Sequence, residues 1–283
     1  MESAVQRWNE IHDARAQQMD AAYARLDRTS ADFWERRALG FHRSTKNTVA
    51  NDPFYLRLRD LVTPQMSVLD VGAGTGRFTL ALAPQAKHIT AVEPSSSMLD
   101  YLRQDASERG LTNISYVQTS WQEAPADLQA DIVICSHVLY PIRDIVPFLA
   151  KLNAATLQGC YLYLFATRLD AQLNHLWRHF HGEERHPPPG YIHALDVLYE
   201  MGIYANVEVV KLPTRLRYPS FDVAIEELLE RLILPDDEKT RAELRRLLLG
   251  LLVERDGMLV TFDQEVVCAI VWWQPKHQQS SWF

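Results

Sequence analysis

From residue 67 to residue 167 the chain alternates between two apolar patterns. Short continuous runs, "SVLDVG", "HITAVEP", "ISYVQT", "ADIVICSHV" and "CYLYLFAT", read as strands buried on both faces. The stretches "RFTLALAP", "SSMLDYLRQDASERG" and "IRDIVPFLAKLNAATLQG" read as helices. The second ends on Gly110, and the third carries Pro147 in its first turns. A polar turn and a weak helix follow "ISYVQT". Strands alternating with helices predict right-handed βαβ crossovers and a parallel sheet with helices on both sides.

The flanks follow other rhythms. Residues 1–58 read as an N-terminal helical segment. In it "SADFWERRALGFHRST" starts on a cap at Ser30 and spaces Phe33, Trp34, Ala38 and Phe41 helically. Residues 59–219 read as the alternating α/β core, with a His-, Arg- and Pro-rich cap over 168–192. "IHALDVLYEMG" within it predicts a helix and "IYANVEVVKLP" a strand. Residues 220–257 read as a helical insertion in two pieces. The first carries a stripe of Phe221, Ile225, Leu228, Leu229 and Leu232; Pro235 and acidic residues divide it from the second. Residues 258–275 then supply the final strand or strands of the core sheet, two extended segments around Asp263 and Gln264.

The first strand-to-helix junction is "VLDVGAGTGRF", with Gly72, Gly74 and Gly76 spaced two apart. Glycine accepts positive φ and lets a ligand approach the main chain without a Cβ in the way. A dinucleotide fingerprint needs G-x-G-x-x-G, but Arg77 and Phe78 follow Gly76 here. Glu93, ending the second strand, suits an adenosine ribose in either cofactor class. Asp70 discriminates between them: a carboxylate beside the loop repels a pyrophosphate and suits an ammonium and a sulfonium.

These residues resemble the class I S-adenosylmethionine-dependent methyltransferases over roughly residues 60–168. The motif E/D-x-G-x-G-x-G is matched by Asp70, Gly72, Gly74 and Gly76, which the resemblance assigns to the cofactor's methionine portion. It assigns Glu93 to the ribose. "EPSSSML" is similar to the family's continuation and brings Pro94 and Met98 to the adenosine, Met98 against the adenine face. Where the family often carries an acid after the third strand, this chain has Ser120 followed by Trp121, whose ring either contacts adenine or packs. The implied fold is α/β: a doubly wound, mostly parallel seven-stranded sheet whose last strand, "EVVCAIVWW", is antiparallel. The implied cofactor is S-adenosylmethionine, and the implied reaction is methyl transfer by in-line displacement.

Ligands of open α/β sheets bind beyond the strand tips, and the fourth strand ends in "CSHVLY". His137 is the candidate general base there, its ordinary pKa suiting proton removal near neutrality. The alternative is a hydrogen bond from His137 to the cofactor's carboxylate end or to a loop carbonyl. Ser136 and Tyr140 neighbour it and shape the pocket. In the cap, His175, Trp177, Arg178 and Tyr191 are candidates for an aromatic substrate pocket with one cation. The competing reading is a solvated loop with Trp177 plugged into a core. His175 and His179 stand four apart, but nothing completes a metal set, and no metal is expected. Trp34, Arg36 and Arg37 are candidates for closing over the cofactor, or for packing.

Bulk properties narrow the partners. The 283 residues are 47% hydrophobic and carry a net charge of −7. An acidic chain lacks the excess Lys and Arg that nucleic acid or an anionic membrane demands. The expected partner is a small molecule, and a homodimer is compatible with the sequence. Cys135, Cys160 and Cys268 lie in strand-like apolar runs, as buried thiols in a reducing compartment would. With no apolar signal core at the amino terminus and no run of membrane-spanning length, the expectation is a soluble cytoplasmic protein. A nicotinamide oxidoreductase and a non-catalytic cofactor-binding module are the competing functions.

Overall fold

The computed structural model describes residues 2–29, 38, 40, 42, 49–166, 173–213, 216–261 and 265–275. Ser30, Phe33, Trp34, Arg36, Arg37 and Phe41 lie outside the described residues, as do Asp263 and Gln264.

Helix α1 (Ala4–Ala24) begins on Ser3, whose side chain accepts from the Gln6 amide at 3.1 Å. Helix α2 (Pro53–Leu61) begins on Asp52, which accepts from the Phe54 amide at 2.9 Å, with Pro53 preset for the first turn. The alternating core follows as β1 (Ser67–Val71), α3 (Thr79–Leu82), β2 (His88–Val92), α4 (Ser96–Glu108), β3 (Ile114–Val117), β4 (Ala130–Ser136), α5 (Ile145–Ala155) and β5 (Thr156–Phe165). Next come α6 (Asn174–His181), α7 (Tyr191–Glu200), β6 (Asn206–Pro213), β7 (Arg217–Tyr218), α8 (Phe221–Arg231) and α9 (Glu238–Leu248). The chain ends in β8 (Leu252–Arg255), β9 (Met258–Thr261) and β10 (Glu265–Trp273).

The large sheet has seven strands in the order β3-β2-β1-β4-β5-β10-β6. Strands β1 to β5 pair in parallel, and β10 is antiparallel to both β5 and β6. This is the expected Rossmann-like sheet with a reversed last strand. One face packs under α1, α5 and α7 around Trp8, Phe148 and Val197, the other around Phe54, Leu82 and Ile89. The strand order reverses at β1, which sits between β2 and β4. Connections leaving the carboxyl ends there diverge and leave a crevice.

Three expected boundaries moved. The helix expected over 77–84 is only α3, because the glycine turns occupy the chain up to Phe78. The helix expected to reach residue 159 stops at Ala155; Thr156 already pairs with Ala130, its hydroxyl donating to the Leu152 carbonyl at 2.7 Å. The helix expected through residue 256 ends at Leu248. Leu252–Arg255 instead forms a hairpin with β9 across Asp256 and Gly257, at φ +50° and +70°. An Asp-Gly pair is a hairpin turn signal, and the leucine-rich run before it masked it.

Domain organisation also differs from the expectation. Strands β7, β9 and β8 form a separate three-stranded sheet, so β9 does not join the core sheet with β10. The end of α1, Leu173, α6, β7, α8, α9 and Leu252 share a second hydrophobic core. The expected cap and helical insertion are therefore one subdomain, because neither has enough apolar surface to bury alone.

Candidate functional site

The loop after β1 is held by its neighbours. The Gly72 amide donates to the Val92 carbonyl at 2.8 Å, tying the loop to β2. Gly72 has φ +74°, and a Cβ there would lie 2.2 Å from Val138 Cγ2. Gly76 has φ +85°, and a Cβ there would lie 2.1 Å from Leu102 Cδ1. The outer glycines thus let the loop pack on the β4 tip and on α4. Gly74, between them, donates its amide to Glu93 Oε2 at 2.9 Å.

Asp70 lies beneath this loop, 2% exposed, accepting from the Thr79 hydroxyl at 2.6 Å. Burial raises its pKa to about 7; the Glu93 charge adds to the rise and the Thr79 bonds oppose it. The expectation that Asp70 turns its charge toward a cationic ligand needs correcting: the carboxyl clasps the start of α3. Glu93, at the end of β2, accepts from the amides of Gly74 and Ser95. Ser95 caps α4 through Met98 N at 3.3 Å, and Met98 is buried. Pro94 between them is exposed.

Trp121 is resolved in favour of packing. Its ring is 3% exposed in the main core, Nε1 donates to the Phe148 carbonyl at 3.4 Å, and Lys151 Nζ lies 4.8 Å from its centroid. Ser120 is spent on its own turn, with Oγ donating to Glu123 at 2.9 Å.

At the β4 tip, Ser136 pairs with Tyr163 across the sheet, and His137 turns out of the strand at φ +59°. The His137 amide donates to the Tyr163 carbonyl at 2.8 Å. The Tyr140 hydroxyl accepts from the Phe165 amide at 2.8 Å and lies 3.0 Å from His137 Nδ1. One phenol thus ties the imidazole to β5 through Nδ1, while Nε2 is buried without a partner. Burial, then the Arg77 charge, lower the His137 pKa to about 3. A base works best when its pKa lies near the operating pH. An imidazole held this far below neutrality by burial takes up a proton poorly, which counts against the expected general base.

The sequence reading missed the group beside it. Arg77 donates through Nη2 to Asp52, whose side chain is wholly buried, while Arg77 Nε and Nη1 are buried without acceptors. Asp52 has its pKa raised, burial outweighing the Arg77 charge. Tyr163 lies close by, stacked on Phe54 at 4.6 Å and 5.0 Å from the His137 ring. The signal was visible: an arginine directly after the third glycine, where the chain turns inward.

The cap residues expected to make a substrate pocket do not converge. Trp177 is fully buried in the second core, stacked on His181 at 3.9 Å and facing Arg185 at 4.5 Å. His175 and Arg178 are exposed, Arg178 ion-paired with Glu184. Tyr191 packs against the main core. The α6 surface has too few apolar positions to cover both a cleft and its own core, and the core takes them. His179 pairs with Glu243 at 2.8 Å and His181 Nε2 bonds the Leu232 carbonyl at 2.7 Å. Among the described residues no group of three or more His, Cys, Asp and Glu could hold a metal ion.

Residues 68–159 match the family described as Methyltransferase domain. An uncharacterized protein of Haemophilus influenzae is 29% identical over 185 residues, 63% of this chain and 66% of that protein. A Rickettsia conorii protein named ubiquinone biosynthesis O-methyltransferase is 31% identical over 88 residues, 31% of this chain and 30% of that one. The matched stretches thus span less than two thirds of these relatives. Among solved structures, the YcgJ protein from Bacillus subtilis superposes with a TM-score of 0.52 at 16% identity, covering 78% of this chain and 98% of that one. At that identity the likeness shows the fold.

Proposed function

We propose that this chain, a member of the class I S-adenosylmethionine-dependent methyltransferases through its domain at residues 68–159, transfers a methyl group to a small-molecule acceptor. One spatial relationship carries the reading. Glu93, a carboxylate at the β2 tip, bonds the Gly74 amide on one side of the crevice, and the unpartnered Nε2 of His137 lies at the β4 tip on the other.

The donor set fits that cofactor. Glu93 would take the ribose hydroxyls, the backbone at Gly72 and Gly74 the methionine portion, and Met98 would wall the adenine, with Pro94 at the entry. S-adenosylmethionine, when bound, supplies a methyl group already activated by its sulfonium. What remains for the chain is alignment and the exclusion of water. Fixing two reactants in line lowers a barrier by about 7–11 kcal/mol. The rigid parts for this are the Asp70–Thr79 clasp under the loop and the Tyr140–His137–Phe165 group. Ser136 sits on the same tip as His137.

The acidic balance of the chain favours a metabolite over nucleic acid. Among the described residues no helix is long and apolar enough to cross a membrane. We place the protein in the cytoplasm on its three free, buried cysteines.

Thermal unfolding with S-adenosylhomocysteine or NAD tests the cofactor assignment. A ligand at a hundredfold excess over its Kd stabilises by about 2.7 kcal/mol, expected for S-adenosylhomocysteine alone. Stabilisation by NAD alone would make the protein an oxidoreductase. Gly74→Asp is expected to abolish the shift while the fold persists.

A further inference from the structure

Buried polar atoms near the tips of β4 and β5 have no partner: Nε and Nη1 of Arg77, Nε2 of His137 and the Tyr163 hydroxyl. The Arg77 side chain is 8% exposed, and its remaining nitrogen is held by Asp52. Asp52 is itself fixed by capping α2 at Phe54 N, so the guanidinium is anchored at one corner. Phe78, 5.0 Å from the guanidinium carbon, stands edge-on to Tyr163 of β5 at 6.2 Å, and Tyr163 lies 5.0 Å from the His137 ring. The guanidinium therefore belongs to the β4–β5 side of the crevice. Glu93 stands at the end of β2, on the far side of β1.

Buried donors without acceptors are rare in folded chains, and each calls for an explanation. The guanidinium nitrogens only donate, and the neighbouring Tyr163 hydroxyl, also without a partner, can donate with them, so the set is matched by a group that accepts, an oxyanion. Its charge follows from the surroundings. His137 is neutral and Asp52 already offsets part of the Arg77 charge, so the site suits one negative charge rather than the two of a phosphate. Its walls are aromatic: the His137 ring stacks on Phe165 at 4.2 Å, and Phe78 lies 5.0 Å from the Arg77 guanidinium carbon. A planar, singly charged group on an apolar body meets both conditions.

We propose that the methyl acceptor carries a carboxylate, received by Arg77 and His137, with its apolar body against Phe165 and Tyr140. This rests on the methyl-transfer reading above and names its substrate class. Arg77 and His137 are then the residues that set specificity, and Tyr140 positions His137.

The test is titration calorimetry of the full chain with benzoate and with benzamide, its neutral isostere, in the presence of S-adenosylhomocysteine. Benzoate is expected to bind at least about tenfold more tightly, because a site built from charged donors rejects the neutral analogue. Arg77→Gln is expected to bring benzoate down to the benzamide level and leave benzamide unchanged. The double variant Asp52→Asn/Arg77→Gln repeats the test without a lone buried carboxylate, should the single variant fail to fold. Equal binding of the two probes to the wild-type protein overturns the proposal. So does an Arg77→Gln variant that loses S-adenosylhomocysteine but keeps 5′-methylthioadenosine, for the donors then serve the cofactor's own carboxylate and methyl transfer stands. If the wild-type protein binds no S-adenosylhomocysteine, the methyl-transfer reading fails instead, and benzoate against benzamide on the free protein still decides whether the donors take a carboxylate.

Discussion

The Tyr140 hydroxyl accepts from the Phe165 amide at 2.8 Å and lies 3.0 Å from His137 Nδ1, so one phenol ties the imidazole to β5. Tyr140→Phe removes both bonds and leaves the Phe165 amide unpaired, which costs about 1–3 kcal/mol of stability. Nitrogen-detected NMR is expected to show a single imidazole tautomer in the wild-type protein and a mixture in the variant. S-adenosylhomocysteine affinity should be unchanged, and turnover should fall with the loss of the single tautomer. A variant with an unaltered imidazole spectrum would mean that Tyr140 does not set the tautomer.

The glycine loop and the β4 tip are packed to contact at Gly72. Gly72→Ala forces a methyl group into Val138 at a positive φ, so an overpacking cost of about 1–3 kcal/mol is expected, with backbone strain added. Adding Val138→Ala should recover the packing part and leave the strain. Chemical denaturation of the two variants against the wild-type protein separates the two; no recovery in the double variant would mean that the loop does not lean on Val138.

Asp70 and His137 are expected to tilt the pH dependence of stability in opposite directions. Asp70 binds its proton more tightly folded than unfolded, so its contribution is full below about pH 4 and is lost as the pH rises through about 7. His137 is the reverse: its contribution is full above its unfolded pKa of about 6.5 and is lost as the pH falls toward about 3. Asp70→Asn should therefore make stability rise more steeply with pH between about 4 and 7, and His137→Gln should make it rise less steeply. Urea unfolding across that range reads both slopes, and equal slopes in all three proteins would contradict the burial of these groups.

Trp177 distinguishes a cap with its own core from a cap that lines a cleft. Trp177→Ala should cost about 3–5 kcal/mol, the usual range for a buried tryptophan, with cofactor affinity unchanged. Near wild-type stability with altered substrate discrimination would return Trp177 to the substrate side.

The alternating core was legible because its physics is local. Continuous apolar strands, glycines at a strand end and an acid closing the next strand each require only their immediate neighbours. Tryptophan is where locality failed. Trp121 and Trp177 are large, apolar and close to chemistry in the sequence, yet both went to cores, because burying an aromatic ring outweighs what a polar cleft offers it. Arg77 failed in the other direction. In sequence it merely interrupts a glycine pattern; in space its guanidinium meets Asp52 and exerts its charge on His137, Tyr163 and Cys268.

The sequence by itself determined the parallel sheet, the glycine turn and the place of Glu93, since hydrophobic period and backbone permissiveness are properties of short stretches; the reversed last strand followed from the family resemblance. Only the tertiary structure decided that the cap and the late helices share one core, that Asp70 faces inward, and that His137 is buried against Tyr140 and Phe165. Each of those depends on desolvation by residues distant in the chain, and burial is a property of the assembled protein.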